Sequence, residues 1–262
     1  MTDSRPYTVL MTACVDPRGA SPHIARADPA LRITEYEQAA LFWSDLKDPR
    51  CERVVMLENS GWDLSGLSAT VSSQRPRRRF DAFNVGSNEI PVGVHYGFAE
   101  LAMIDAWLSG EGAPKDDELL IKVTGRLTFP RLPRLVARVN PEAQFMADAR
   151  SRHLPRKRTA LNGALATQLL IFSAGFYREH LLDLRLSMTP DSNFSSHIET
   201  QIYARLFGLN RENSARVGFR FPISCEPVGV GATSNYAYGH GVDYVKAKIR
   251  ASSRLVVPWI WL

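Results

Sequence analysis

Apolar strand patterns and amphipathic helix patterns alternate along the first 130 residues, and this alternation constrains the fold more than any other feature of the chain. Tyr7 to Val15 is a run of apolar and β-branched residues that reads as a buried strand, closed by the turn signal Asp16-Pro-Arg-Gly19. Residues 20–33 show no period and read as a loop. Thr34 and Glu37 have capping-box spacing and open a helix that runs on through Ala40, Phe42, Trp43 and Leu46. Arg53 to Glu58 is a second buried strand, closed by Asn59-Ser-Gly61. Asp63 or Ser65 caps a short helix over 64–70, and Phe80 to Val85 is a third strand. Gly97 to Leu108 reads as a helix and Leu119 to Val123 as a fourth strand. The order β-α-β-α-β-α-β predicts an α/β fold, with a mostly parallel, Rossmann-like sheet flanked by helices and joined by right-handed crossovers.

The second half is less regular. Ala143 to Ala149 reads as a strand, Thr167 to Ala174 as a strand or buried helix, and Phe176 to Leu186 and Ile198 to Leu206 as helices. The tail from Val242 reads as a helix carrying Lys246, Lys248, Arg250 and Arg254, followed by Val-Val-Pro-Trp-Ile-Trp-Leu. A length of 262 residues with 45% hydrophobic content fits one domain over 1–262, with a regular half (1–130) and an irregular half (131–262). No run of 18 apolar residues exists and the N-terminus lacks an apolar signal core, which points to a cytoplasmic protein. Cys14, Cys51 and Cys225 have no C-x-x-C spacing, so neither a zinc site nor a disulfide framework is expected, and Cys14 and Cys225 read as small hydrophobes.

The net charge of +5 is unevenly spread. Residues 121–160 hold ten Lys and Arg against Glu142 and Asp148, a balance of +8 that leaves −3 for the rest. Such stretches attract polyanions, anionic membrane surfaces or phosphorylated substrates. Gly-x-Gly-x-x-Gly, Walker A, His-Glu-x-x-His and Gly-x-Ser-x-Gly are all missing, which disfavours a dinucleotide enzyme, a P-loop ATPase, a zincin and an α/β-hydrolase. Polar residues do gather at the predicted strand ends: Thr12 and Asp16, then Glu58, Asn59 and Ser60, then Lys122, Gly125 and Arg126, and later Asp148. In open α/β sheets ligands bind outside the carboxyl ends of the strands. The segment Leu119-Leu-Ile-Lys-Val-Thr-Gly-Arg126 is therefore expected to aim two cations at that crevice, with Gly125 allowing close backbone approach.

Read in order, Thr12-Ala-Cys-Val-Asp-Pro17, Leu57-Glu-Asn-Ser-Gly-Trp-Asp63, His95-Tyr-Gly-Phe-Ala-Glu100, Ile121-Lys-Val-Thr-Gly-Arg-Leu127, Tyr177-Arg-Glu-His180 and His197-Ile-Glu199 form a series. Over roughly residues 7–206 it resembles bacterial GT-A-like glycosyltransferases of capsule, O-antigen and lipopolysaccharide synthesis. The resemblance implies a nucleotide-sugar donor, with a UDP-sugar as first choice, and a glycan or lipid-linked glycan acceptor. It makes 1–130 the donor half and 131–262 the acceptor half. Carried over by position, Thr12 and Ala13 line the nucleotide pocket, and Glu58, Asn59 and Ser60 face the base and ribose. Tyr96, Gly97 and Glu100 open a helix beside the donor. Lys122, Gly125 and Arg126 stand near the place of the family's Asp-x-Asp metal motif, which this chain lacks throughout. The resemblance therefore does not extend to a divalent metal, and cations, assisted by Arg178 or the 150–158 basic segment, are expected to stabilise the leaving diphosphate.

An inverting transfer needs a general base for the acceptor hydroxyl. Glu199 is the first candidate, with Asp148 and Glu100 as alternates, while His180 and His197 read as packed or exposed histidines. The C-terminal segment reads first as a last helix and strand docking on the domain, and its basic residues with Trp259 and Trp261 also suit a peripheral contact with a membrane surface. Two other classes compete. A polyanion- or nucleic-acid-binding protein would use 121–160, but Phe145 is the one aromatic within 130–158, so nucleic acid is not expected. A non-catalytic partner of a polysaccharide assembly complex would bind no nucleotide.

Overall fold

The structure is a computed structural model and describes residues 5–17, 24–151, 154–190, 196–231 and 235–257. In chain order the elements are β1 (Tyr7–Ala13), α1 (Pro29–Ser44), β2 (Cys51–Glu58), α2 (Ser65–Ser73), β3 (Arg79–Asn84), α3 (Gly97–Ser109) and β4 (Leu119–Thr124). There follow α4 (Leu132–Val136), β5 (Phe145–Met146), β6 (Ala149–Arg150), β7 (Ala164–Leu165), β8 (Leu169–Ser173) and α5 (Ala174–His180). The last are α6 (Ile198–Glu212), β9 (Val217–Gly218), β10 (Gly229–Val230), β11 (Ala237–Tyr238) and α7 (Gly241–Val256). The expected α/β fold is the observed one.

Seven strands form the main sheet in the order β3-β2-β1-β4-β8-β5-β9. β3, β2, β1 and β4 are mutually parallel, and β8 alone is reversed, antiparallel to both β4 and β5. From β1 the chain builds outward to β2 and β3, then returns to place β4 on the other side of β1. The strand order reverses between β1 and β4, and that switch point opens a crevice at their carboxyl ends.

The two faces of the sheet bury different layers, as period-2 alternation requires. Val9, Met11, Val54, Met56, Ile121 and Val123 face α1, α2 and α4. Leu10, Val55, Leu57, Leu120, Leu170 and Phe172 face α3, α5 and α6. Trp43 is fully buried in the first layer and its indole Nε1–H donates to Leu127 O at 3.2 Å. Truncating a residue so packed costs about 3–5 kcal/mol.

The helix expected from Thr34 begins at Pro29 instead. Asp28 is its N-cap, accepting from Ala30 N–H at 3.0 Å, and Pro29 sits where a missing N–H costs nothing. Thr34, in the helix interior, donates back to Ala30 O at 2.9 Å. The strand expected over 143–149 breaks into β5 and β6, because the chain turns to pair first with β8 and β9 and then with β7. The helix expected over 176–186 ends at His180, and Asp183 takes a left-handed conformation (φ 59°) before a separate 3-10 turn at Leu184–Ser187.

Candidate functional site

A cleft of about 180 Å³ opens at the switch point between β1 and β4. An apolar cavity of roughly 150 Å³ takes a benzene ring, so the cleft holds one ring-sized group with the rest of a ligand in its mouth. Thr12 and Ala13 at the end of β1, Asn59 after β2, Thr124 at the end of β4 and Arg126 just beyond it, and Tyr96, Glu100 and Glu199 at the starts of α3 and α6 line it. Arg32 and Tyr36 of α1 close one side, and Gln168 and Tyr238 of β11 close another. α1 lies on one face of the sheet and α3 and α6 on the other. The cleft therefore has arginines on its α1 side and carboxylates on its α3/α6 side.

Close approach of backbones builds this corner. A Cβ on Gly125 would fall 2.6 Å from Thr12 O and 3.0 Å from the Tyr36 ring. Gly125 N–H donates to Thr12 O at 2.9 Å, so the glycine serves the approach of β4 to β1 rather than that of a ligand. A Cβ on Gly97 would lie 2.6 Å from the Ile198 side chain. Gly97 does not line the cleft. It lets the first turns of α3 and α6 meet and brings Tyr96, Glu100 and Glu199 to one rim.

On the acidic side a relay of contacts runs between the helices. Thr12 Oγ1 donates to Glu100 Oε1 at 2.7 Å, and Lys122 Nζ meets the same oxygen at 2.6 Å. Lys122 Nζ also donates to Thr167 O at 2.7 Å, and Thr167 Oγ1 donates to Glu199 Oε1 at 3.4 Å. Lys122 does not aim at the crevice as its sequence position suggested. It lies within β4, only 1% exposed, and spends its ammonium on Glu100 and Thr167. Burial pushes the Glu199 carboxyl above the ordinary carboxylate range, with Glu100 adding to the shift and Lys122 and Thr167 opposing it.

On the cationic side Arg126 is 5% exposed and pairs through Nη1 with Glu35 Oε2 at 3.0 Å, its guanidinium 5.9 Å from the Tyr36 ring centroid. Arg32 holds Cys14 O with Nε at 2.8 Å and Arg26 O with Nη1 at 2.9 Å, so it serves mainly to fold the β1–α1 connection onto the cleft.

Among the described residues, three buried polar atoms of this cleft have no hydrogen-bond partner: Arg126 Nε, Asn59 Oδ1 and Glu199 Oε2. Native interiors satisfy nearly all such groups. One donor from a cation and two acceptors, left open in one cleft, describe what a complementary ligand would supply: an anionic oxygen beside hydroxyl or N–H groups.

The remaining sequence candidates lie elsewhere. Glu58 is fully buried, and its carboxylate accepts from Val15 N–H (2.9 Å), Ser60 N–H (2.9 Å), Trp62 N–H (3.1 Å) and the Ser60 hydroxyl. Ser60 Oγ in turn accepts from Asp16 N–H at 3.0 Å. These two residues lock the loops after β1 and β2 and do not line the cleft. Asp148 accepts from Phe221 N–H and pairs with Arg254, fastening α7 to the body. Arg178 donates to Leu108 O (3.0 Å) and Pro114 O (2.8 Å) near the amino end of β4. The physical reason is the reversal of β8: the helix that follows it, α5, leaves from the edge opposite the cleft. Of the 150–158 segment, Arg152 and His153 lie outside the described residues.

Sequence reading missed Arg32, Tyr36, Gln168 and Tyr238. Arg32, Glu35 and Tyr36 share a helix face at i, i+3 and i+4, a signal hidden by reading 20–33 as loop. His95 stands beside this rim, just before Tyr96. Its ring stacks on His197 (centroids 4.0 Å, 17°), and burial lowers its pKa to about 4, with His197 adding to the shift. His95, His197 and Glu199 bring ligand-type atoms within 4.8 Å of one another, the one such group among the described residues. The rings pack flat and His95 Nδ1 accepts Gly97 N–H at 3.2 Å, so the in-plane lone pairs of the two rings do not meet at one point as they stand. His180 packs on Phe176 at 4.5 Å and lies 3.4 Å from Glu179, away from the cleft.

No protein-family model matches the sequence, and no curated protein matches it. Three solved structures are similar to the chain at TM-scores below 0.5. The chain is similar to 4-diphosphocytidyl-2C-methyl-D-erythritol synthase from Anaerococcus prevotii, with TM-score 0.41 and 9% identity over 94% of this chain and 96% of that one. It is similar to glycosyltransferase GlyE of Streptococcus pneumoniae, with TM-score 0.42 and 13% identity over 97% of this chain and 52% of that one. A third is a CMP:2-keto-3-deoxy-manno-octonic acid synthetase complexed with CTP, with TM-score 0.38 and 12% identity over 78% and 86%. Scores this low pass no function from those proteins to this chain.

Proposed function

We propose that the cleft between β1 and β4 binds a nucleotide-sugar donor, a UDP-sugar in the first instance, and that the protein transfers the sugar to a hydroxyl of a bacterial surface glycan or lipid-linked glycan. The observation that carries this reading is the set of unpaired buried atoms at one switch-point cleft: Arg126 Nε, Asn59 Oδ1 and Glu199 Oε2. A diphosphate oxygen satisfies the arginine, and sugar or ribose hydroxyls satisfy the two acceptors.

In this reading Glu199 is the general base. Burial raises its pKa toward working pH, and this strengthens it as a proton acceptor. The acceptor oxygen forms a bond to the anomeric carbon as the bond from that carbon to the diphosphate oxygen breaks. The hydroxyl proton goes to Glu199, and the negative charge developing on the diphosphate is met by Arg126. Lys122 and Glu100 are positioning residues: their ion pair, tied to Thr12 and Thr167, fixes the wall against which Glu199 stands.

The test is a thermal-shift and turnover screen with UDP, GDP, CDP, CMP and their common sugar conjugates. A ligand present at a hundred times its Kd adds about 2.7 kcal/mol of stability. The expected result is a shift with one nucleotide class that Arg126→Ala abolishes, while Glu199→Gln keeps the shift and loses sugar transfer. Silence from every nucleotide, or transfer by Glu199→Gln at the wild-type rate, refutes the proposal.

A further inference from the structure

α7 is turned the wrong way round for a helix of a water-soluble domain. Its arginines face the body: Arg250 pairs with Glu226 at 2.6 Å, and Arg254 donates to Phe221 O at 2.9 Å and pairs with Asp148. Its apolar residues face outward: Val242, Val245, Ile249 and Val256 are 70%, 56%, 55% and 74% exposed. Their spacings of three, four and seven put them on a single stripe. A helix on a globular surface ordinarily buries such a stripe and exposes its charges. No acidic residue occurs from Tyr244 to Val256, and the exposed Lys246 and Lys248 flank the stripe, one on either side.

We propose that this outward face is a membrane-docking surface, seated in the interface of a bilayer rich in anionic lipid. Apolar side chains enter the acyl boundary, while the lysines lay their stems along it and hold headgroup phosphates. The charge pattern selects this occupant. A second copy of α7 laid on the stripe would face lysines with lysines across the seam, whereas an anionic headgroup layer meets both rows with opposite charge. The sequence beyond the helix, Pro258-Trp-Ile-Trp-Leu262, lies outside the described residues and is of the composition found at membrane interfaces. The inference does not rest on the reading of the cleft.

The test is co-sedimentation of the full chain with vesicles of phosphatidylcholine alone and of phosphatidylcholine mixed with phosphatidylglycerol. The wild type is expected to bind the mixed vesicles and to leave neutral ones largely unbound. Val245→Asp with Ile249→Asp, both at exposed positions and so without loss of melting temperature, is expected to weaken that binding roughly tenfold or more. Lys246→Glu with Lys248→Glu is expected to abolish the preference for anionic lipid. Three outcomes overturn the proposal: no binding to anionic vesicles, binding that the double aspartate variant leaves intact, or a solution dimer that the same variant dissociates, which would assign the stripe to a second copy.

Discussion

Replacing Lys122 by methionine keeps most of the packed stem and removes one charge from the wall of the cleft. In the wild type the ammonium is 1% exposed and holds both Glu100 Oε1 (2.6 Å) and Thr167 O (2.7 Å). A hydrogen bond to a charged group contributes about 1.5–3 kcal/mol, and breaking a buried ion pair by removing one partner costs about 3–5 kcal/mol. The Glu100 side chain is 19% exposed and keeps its bond from Thr12, so water takes up part of the loss and the lower end applies. The expected destabilisation of Lys122→Met is about 3 kcal/mol. At roughly 2–4 °C per kcal/mol for a domain of this size, the melting temperature should fall by about 6–12 °C. Most of that loss is the uncompensated carboxylate, not the pair itself. Lys122→Met combined with Glu100→Gln should therefore lose at least about 1 kcal/mol less than the sum of the two single changes. The assay is urea unfolding followed by tryptophan fluorescence, which reports on the fully buried Trp43. Additivity within about 0.5 kcal/mol, or a loss under about 1 kcal/mol for Lys122→Met alone, would refute the view of Lys122 and Glu100 as a coupled wall of the site.

Other outcomes follow from particular contacts. Gly97→Val should destabilise by about 1–3 kcal/mol through overpacking against Ile198, 2.6 Å from the Cβ position, and Ile198→Ala in the same chain should recover part of the melting temperature. Glu199 holds its proton more tightly folded than unfolded, so its contribution to stability is lost as pH rises from the ordinary carboxylate range through the raised value. Glu199→Gln removes that loss, and its melting temperature relative to wild type should climb between pH 4.5 and pH 7.5; a constant difference would refute the raised value. Burial pushes the Cys51 and Cys225 thiols up to about 12, which leaves almost no thiolate near neutrality. Both should resist a disulfide reagent in the native protein and react on unfolding, a contrast that thiol titration in and out of denaturant measures directly.

Much of the first half was legible because its signals are local. β1 is buried along its whole length and the sequence there is apolar at nearly every step, so no partner was needed to identify it. The start of α1 is equally local but carries two competing signals: Asp28-Pro29 is a cap followed by a helix-starting proline, and an apparent capping box at Thr34 points further along the chain. In the cleft, Thr12, Asn59 and Arg126 follow from strand ends and Glu199 from a helix start, Ala13, Tyr96 and Glu100 are implied by the resemblance, and all seven line one cavity. Glu58, Ser60, Lys122 and Asp148 also follow from strand ends and do not line it, because a residue at a strand end is as free to lock a loop or a helix as to face a ligand, and Arg178, expected only as an assisting cation, lies at the far edge.

Sequence alone determined the parallel half of the sheet and therefore the existence of a crevice, since alternating strand and helix periods admit few other packings. It determined too that the backbone at Gly125 allows close approach, though not that Thr12 and Tyr36, rather than a ligand, are what approaches, and it held no sign that Gly97 meets Ile198. Tertiary structure decided the direction of β8 and with it the removal of Arg178 to the far edge. It decided which face of β4 carries Lys122 and what neutralises it. It also turned the arginines of α7 inward, leaving the valines out. Each of these depends on a partner distant in the chain: Thr167 for Lys122, Glu226 for Arg250, Asp148 for Arg254. Charges and hydrogen bonds act over a few ångströms in space, and no period in the sequence records which distant groups folding will bring that near.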